Sequence, residues 1–121
     1  MKFHGICLVT EDVIALTSFY EKVLKTTSEG DDIHAVINTE GALLSIYSRE
    51  AAKRDMSMYY GLSSGSFALQ IGVDDVDLEY ERLKKLGVEI IKEPTDYSWG
   101  NRSMQFKDPD GNIISFACRR S

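Results

Sequence analysis

The chain contains few of the side chains that metal centres and nucleophilic catalysis use. Its two histidines are His4 and His34, and its two cysteines are Cys7 and Cys118. Their spacing supports no Ser-His-Asp or Cys-His arrangement, and the cysteines lack the spacing of a metal site or a disulfide framework. We therefore predict reduced, buried cysteines and structural or surface histidines. Spacing alone identifies no catalytic residue.

A short pattern that contains a serine occurs twice in the chain. Residues 40–46 read Glu-Gly-Ala-Leu-Leu-Ser-Ile and residues 110–116 read Asp-Gly-Asn-Ile-Ile-Ser-Phe, so Ser45 and Ser115 hold matching positions. The second copy overlaps the sequence Asp-Pro-Asp-Gly at 108–111, which is typical of a tight turn because Pro presets φ and Gly accepts a positive φ. Duplicated modules commonly enclose a ligand. The pattern therefore predicts two modules, each with this serine in its last strand.

The predicted elements have a similar order in both halves. In the first half a strand at 3–9 precedes a helix that Thr10 or Asp12 caps, and this helix has apolar residues at the spacing of one buried face. In the second half a strand at 67–73 precedes a helix that Asp74-Asp75 cap and Gly87 ends. Further strands are predicted at 33–37, at 42–47, at 88–91 before Pro94, and on both sides of the 108–111 turn. Residues 26–30, which follow the first predicted helix, break its helical periodicity. The predicted class is α+β.

The segment at about residues 50–65 differs in composition from both halves, and this difference predicts a linker. They separate module 1, at about 1–49, from module 2, at about 66–121, and the 121 residues together are the size of a single domain. The linker contains Tyr59 and Tyr60 beside methionines and a Gly/Ser loop. These side chains either fill a gap between the halves or adapt to an irregular ligand surface.

Composition limits the classes of partner. A formal net charge of −5 argues against a nucleic-acid interface, which needs a basic face, and mildly favours cationic or neutral ligands. No segment approaches the roughly 18 uninterrupted apolar residues of a membrane span, and the first residues lack the features of a signal peptide. We therefore expect no membrane partner and a cytoplasmic location.

Two stretches carry a resemblance to a known family. Asp12 through Phe19-Tyr20 and Val23-Leu24, and Trp99-Gly100 leading to the Asp-Pro-Asp-Gly-Asn sequence at 108–112, resemble the glyoxalase/bleomycin-resistance/extradiol-dioxygenase superfamily, also called vicinal oxygen chelate. The resemblance covers the whole chain. It implies two tandem βαβββ modules that form a curved mixed sheet around a cavity. In many enzymes of the family, four His, Gln or Glu side chains bind a divalent metal there.

The resemblance also assigns those four ligand positions to residues of this chain. They fall on Gly5, Ser45, Ala68 and Ser115. None is a usual ligand of a divalent metal in these enzymes, which use imidazole nitrogens or carboxylate and amide oxygens. His4 is adjacent to Gly5, but strand alternation directs it to the opposite face. We therefore predict no metal and no cofactor.

If these positions face the cavity, alternation brings Cys7, Tyr47 and Gln70 to the same side. Such a pocket is mostly apolar and has a few hydrogen-bonding groups, which suits a small organic molecule. Trp99 offers a stacking face, and Arg102 could pair with an anion or stack. The predicted ligand-binding residues are Cys7, Ser45, Tyr47, Tyr59, Tyr60, Gln70, Trp99, Arg102 and Ser115.

The resemblance thus leads to a function hypothesis. The first interpretation is metal-independent binding of an aromatic or cationic small molecule between the modules, as in drug sequestration, by a protein that the resemblance implies is a homodimer. A second is an enzyme, either a glyoxalase-like lyase or isomerase or an antibiotic-modifying thiol transferase, each of which would need the metal. A third is a sensory or assembly module without turnover. The residues favour the first and leave the other two open.

Overall fold

The computed structural model describes residues 1–119. Contacts between Cα atoms divide the chain into two compact units, unit 1 of Met1–Ser63 and unit 2 from Ser64 onward. Over the described residues, each unit has a four-stranded mixed sheet, with three helices in unit 1 and one in unit 2, which confirms the predicted α+β class. No helix among these residues is long and apolar enough to span a bilayer.

Unit 1, all of which is described, follows the order strand, helix, three strands and two short helices. Its elements are β1 Gly5–Thr10, α1 Val13–Leu24, β2 Ser28–Gly30, β3 His34–Ile37, β4 Leu43–Ser48, α2 Arg49–Asp55 and α3 Ser57–Tyr60. The strand order is β1-β4-β3-β2, in which β1 runs parallel to β4 and the other pairs are antiparallel. The Asp12 carboxylate accepts a hydrogen bond from the backbone N of Ala15 at 3.0 Å, which confirms the predicted N-cap of α1.

The described part of unit 2 follows the same order without the short helices. Its elements are β5 Ala68–Gly72, α4 Val76–Lys85, β6 Glu89–Asp96, β7 Asn101–Lys107 and β8 Ile113–Arg119. The strand order is β5-β8-β7-β6, with β5 parallel to β8 and the other pairs antiparallel. Asp75 caps α4 by accepting from the N of Leu78 at 3.0 Å. Gly87 follows the helix with φ +77°, as its C-terminal position predicts.

The turn between β7 and β8 is organised by a buried carboxylate. Asp108 is 5% exposed, and its side chain accepts hydrogen bonds from the N of Asp110 at 2.9 Å, the N of Asn112 at 2.9 Å and Nδ2 of Asn112 at 2.8 Å. Gly111 has φ +88°, a conformation that favours glycine. These contacts determine the register of β8 and so the face on which Ser115 lies.

Two predicted strand bounds were wrong, and one strand was not predicted. The strand predicted at 88–91 continues through Pro94 as β6, because β6 is an edge strand and its pairing is interrupted around this residue, where a missing N–H removes no ladder bond. Residues 28–30 form β2, whereas the sequence predicted only that the helical pattern ends in this segment. The first strand begins at Gly5 instead of residue 3. The segment predicted as a linker, whose first residues have a helix-prone composition, coincides largely with the short helices α2 and α3.

Candidate functional site

A pocket of about 480 Å³ lies on one face of the unit 2 sheet. Within the described part of the chain it is lined by Gln70, Ile71, Gly72, Tyr97, Trp99, Asn101, Ser103, Gln105, Ser115 and Ala117. Its volume falls within the range of about 300–1,000 Å³ that is typical of small-molecule sites. The pocket brings together Gln70, Trp99 and Ser115 of the predicted set.

One row of side chains across the sheet supplies hydrogen-bonding groups. Ser115 of β8 pairs in register with Gln70 of β5 on one side and with Gln105 of β7 on the other. Nε2 of Gln105 donates to Oγ of Ser115 at 3.0 Å and to Oγ of Ser103 at 3.1 Å. Two hydroxyl groups therefore hold the Gln105 carboxamide in place, whereas the exposed Gln70 side chain is available to a ligand.

The next row has small side chains. Ala117 pairs in register with Gly72 and with Ser103. Because residues two apart along a strand share a face, this row lies beside the carboxamide row on the pocket side. The small side chains leave room for the body of a ligand against the sheet.

Two stacked aromatic rings lie at the end of the pocket where β6 turns into β7. The rings of Tyr97 and Trp99 are 4.8 Å apart between centroids and 14° from parallel. Tyr97 N donates to the carbonyl of Asn101 at 2.8 Å, and Gly100 has φ +96°, so the turn is tight. Trp99 is nevertheless 72% exposed. Its second face is free to stack on another flat group.

A cation lies next to this aromatic pair. Nζ of Lys92 is 4.9 Å from the centroid of the Tyr97 ring. Lys92 also pairs in register with Gln105, so it continues the carboxamide row onto β6. The lining residues named above, which all lie within residues 1–119, carry no charged side chain.

Arg102 is not among the residues that line this pocket. Its guanidinium donates to Asp77 at 2.7 and 2.9 Å and to Asp96 at 3.2 Å. The hydrogen bonds to the Asp77 carboxylate, with smaller contributions from Asp96, raise the pKa of Arg102 above its usual range. Strand alternation explains the position, because Arg102 lies between the pocket residues Asn101 and Ser103.

The remaining predicted residues belong to unit 1. Cys7 pairs in register with Ser45, whose Oγ donates to the carbonyl of Ile6 at 3.4 Å. Tyr47 of β4 is in edge contact with the His34 ring, with centroids 6.1 Å apart. These residues lie on the strands of the unit 1 sheet and are separate in sequence from the pocket residues.

Tyr59 and Tyr60 lie on α3, which an arginine attaches to the rest of unit 1. The Arg49 guanidinium donates to the carbonyls of Tyr60 and Leu62 and to that of Val9 at 3.2 Å. It also forms an ion pair with Glu11 at 3.0 Å. These contacts tie the segment that follows α2 to the end of β1.

Sequence reasoning missed Tyr97, Asn101, Ser103 and Gln105 as pocket residues. The signal that identifies three of them is the hairpin around the 108–111 turn. In that hairpin Gln105 pairs with Ser115, and alternation brings Ser103 and Asn101 to the same face as Gln105.

Comparison with known proteins identifies the family. The model of the Glyoxalase/Bleomycin resistance protein/Dioxygenase superfamily matches residues 2–116. The chain belongs to this superfamily. It is 29% identical over 122 aligned residues to YraH of Bacillus subtilis (strain 168), covering 94% of this chain and 95% of YraH, and 31% identical over 95 residues to YetH of the same organism, covering 74% and 78%. A superfamily protein from Nocardioides has a similar fold, with a TM-score of 0.81 at 24% identity, covering 100% of this chain and 85% of that one.

The superfamily's metal positions, as the resemblance assigns them, do not fit a metal here. Gly5 has φ +157°, and a Cβ at this position would lie 1.9 Å from the carbonyl oxygen of Leu43. Ser45 is 7% exposed and Ser115 hydrogen-bonds Gln105, while Ala68 has no donor atom. Within residues 1–119 no group of three or more His, Cys, Asp and Glu could hold a metal ion. Two hydroxyls are a poor donor set for a divalent cation.

Proposed function

We propose that this protein binds a flat, aromatic small molecule in the unit 2 pocket, without a metal and without turnover. The observation that carries the proposal is the exposed face of Trp99, which is 72% exposed while the other face stacks on Tyr97. The ring lines a pocket of about 480 Å³. Its position and the polar row on the sheet together suit a ligand that stacks at one end and forms hydrogen bonds at the other.

The stacked pair supports this function through preorganisation. Tyr97 and Trp99 are held on a turn that Gly100 and the bond from Tyr97 N to the Asn101 carbonyl stabilise. An aromatic side chain already fixed in place loses little entropy when a ligand binds. Stacking of one flat ring on such a side chain is worth roughly 1–3 kcal/mol.

The side chains that line the pocket favour an uncharged ligand rather than a cationic ligand. Gln70, Gln105 and Ser115 offer dipoles and no charge, and the Lys92 ammonium is already next to the aromatic pair. A ligand cation placed against this row would lose water without gaining a counter-charge, and Lys92 would repel it. Of the two expectations, aromatic or cationic, the pocket supports the aromatic one.

Metal independence is part of the proposal because of the donor chemistry. The four positions that the superfamily resemblance assigns to ligands provide no imidazole, carboxylate or amide group. Adding Mn²⁺, Ni²⁺, Zn²⁺ or Co²⁺ should therefore leave the melting temperature unchanged, as should chelation. A stoichiometric metal that survives purification and shifts the melting temperature would contradict this part of the proposal.

Fluorescence tests the site itself, since Trp99 is the chain's one tryptophan. Titration with planar aromatic compounds should quench Trp99 emission in a saturable way. Calorimetry on a Trp99→Ala variant should then give about a tenfold or greater loss of affinity, from the stacking energy above. Phe3→Ala is the matched control, because Phe3 is 75% exposed and belongs to unit 1. Equal affinities of the Trp99→Ala variant and the wild type would refute the site.

The proposal includes a homodimer in the cytoplasm. The homodimer rests on the resemblance to the superfamily, and the location rests on the composition of the sequence. Sedimentation equilibrium of the purified protein should give twice the chain mass of 13.6 kDa. A concentration-independent mass of one chain would contradict the dimer and leave the binding site to be judged by its own test.

A further inference from the structure

We propose that the ligand presents a neutral amide- or lactam-type edge to the two glutamines of the pocket. This inference rests on the proposed function, because it concerns the same site and names the chemical class of its ligand. A lactam edge places an N–H donor and a carbonyl acceptor side by side on a flat ring. The observations that lead to it are the identity of the polar row, the state of its hydrogen bonds and the absence of charge in the described lining.

The first step concerns the groups that the row offers. A carboxamide carries an acceptor oxygen and a donor nitrogen next to each other, and it pairs through both atoms with an edge that also has a donor beside an acceptor. Gln70 and Gln105 are the only glutamines of the chain, and both line this pocket on either side of Ser115. Gln70 can therefore pair with an amide edge through both atoms, whereas Gln105, whose nitrogen is bound to the two serines, can accept a hydrogen bond from such an edge through its oxygen.

The second step concerns preorganisation. Gln105 donates to Ser103 at 3.1 Å and to Ser115 at 3.0 Å, so its carboxamide is held before a ligand arrives. Its remaining oxygen, the hydroxyl protons of the two serines and the exposed Gln70 side chain are the groups left for the ligand. They include both donors and acceptors, which is the complement of a lactam.

The third step excludes charged edges. A carboxylate needs a cationic or multiple-donor partner, and an ammonium needs a carboxylate, when either loses water. The nearby acidic groups Asp77 and Asp96 bind Arg102, outside the pocket lining. The Lys92 ammonium lies over the Tyr97 ring. A neutral edge avoids the desolvation cost that either charge would bear.

The fourth step concerns the length of the ligand. Gln105 lies four positions after Asn101, the residue beside the aromatic turn, along β7, and four steps of a strand span roughly 13 Å. The small row of Gly72, Ala117 and Ser103 lies between. A flat system of about three fused rings can cover this row and reach toward both ends.

Three matched tricyclic probes test the inference. Phenanthridin-6(5H)-one carries the lactam edge, its 5-methyl derivative has the same shape without the N–H donor, and 5-methylphenanthridinium is the flat cation. Binding to the wild-type protein is measured by calorimetry. The lactam should bind about tenfold or more tightly than both of the others, since a buried polar group left without its partner weakens binding by that order.

Two variants connect this preference to the row. Gln70→Leu and Gln105→Leu should each reduce the preference for the lactam over its 5-methyl derivative to about threefold or less. Lys85→Leu, a polar-to-leucine change at an exposed position of α4, should leave the preference unchanged. In wild-type protein labelled with ¹⁵N, the lactam should also shift the side-chain amide signals of both glutamines, whereas a ligand that only stacks on Trp99 should not.

The outcomes separate this inference from the proposed function. Lactam and 5-methyl derivative binding within twofold of each other, with quenching of Trp99 intact, would overturn the inference and leave the proposed function standing. If 5-methylphenanthridinium binds most tightly of the three probes, the inference is likewise overturned and the proposed function stands. If none of the three probes binds, this inference fails. If, in addition, no other planar compound quenches Trp99, the proposed function fails as well. The comparison of probes uses wild-type protein, so it holds even if a glutamine variant does not fold.

Discussion

Replacement of Gly5 by alanine should destabilise unit 1 far more than its position at the start of a strand suggests. Gly5 pairs with Leu43 at the start of the parallel β1–β4 ladder. A Cβ at position 5 would lie 1.9 Å from the carbonyl oxygen of Leu43, 2.6 Å from its carbonyl carbon and 2.7 Å from its nitrogen. All three are backbone atoms of the neighbouring strand, so no side-chain rotation relieves the contact.

The size of the effect follows from what must move. Relief requires the start of β1 to separate from β4, which removes the hydrogen bond from Leu43 N to the carbonyl of His4 at 2.7 Å, worth about 1 kcal/mol. A non-glycine residue held at φ +157° adds strain of roughly 1–3 kcal/mol. The sum of about 2–4 kcal/mol corresponds to a fall in melting temperature of roughly 8–16 °C, at about 4 °C per kcal/mol for a chain of this size.

Thermal and urea unfolding of Gly5→Ala measure this effect. Gly41→Ala is the matched control in the same unit, because a Cβ at position 41 meets no atom within 4 Å and should change stability little. A Gly5→Ala protein that melts within about 2 °C of the wild type would refute the reasoning. The result also bears on the metal question, because Gly5→His meets the same backbone atoms and would not simply restore a superfamily ligand.

Three further measurements test the fold and the pocket. Asp108→Ala removes a buried carboxylate that accepts three hydrogen bonds, so urea unfolding should show a loss of about 3 kcal/mol, whereas Asp110→Ala in the same turn should cost little. Hydrogen bonds from the backbone N–H groups of Ile33, chiefly, and of His34 lower the pKa of Asp31, so the ionised carboxylate stabilises the fold at pH values above its unfolded pKa. The difference in unfolding free energy between the wild type and Asp31→Asn should therefore shrink as the pH falls from about 6 to about 3. A difference that stays constant over this range would contradict the prediction. Ala117→Leu places a large side chain in the small row and should weaken binding of the tricyclic lactam about tenfold or more; unchanged affinity would show that the ligand avoids this row.

The parts of the fold that the sequence predicted correctly are those with local chemical causes. Asp12 and Asp75 cap helices through bonds to residues three positions later, and Gly111 serves a turn that four residues define. β2 was missed because it is an edge strand of three residues that depends on its partner β3. The strand was predicted to end before Pro94, but β6 accommodates this proline because β6 is an edge strand and its pairing is interrupted there. No local sequence pattern reveals either property.

The same distinction applies to the site. Ser115 and Gln70 were predicted because they lie on strands whose alternation the superfamily resemblance anchors. Arg102 was predicted from its residue type alone, and its guanidinium contacts Asp77 on α4, 25 positions away, outside the pocket lining. Placing Gln105 in the pocket requires the register of the β7–β8 hairpin, which was not assigned from the sequence. Residue type predicted what chemistry was available, whereas strand register decided which groups could meet.

The repeated serine acquires different neighbours in the two units, and this difference indicates where the hydrogen-bonding chemistry lies. In unit 1 Ser45 pairs with Cys7 and Val36, so its row is mainly apolar, and its hydroxyl donates weakly to a backbone carbonyl. In unit 2 Ser115 pairs with Gln70 and Gln105 and helps to hold one carboxamide. Because the strand positions are equivalent, the fold alone cannot account for the contrast. The neighbouring side chains in unit 2 convert an ordinary strand serine into the centre of a row suited to recognise a polar edge.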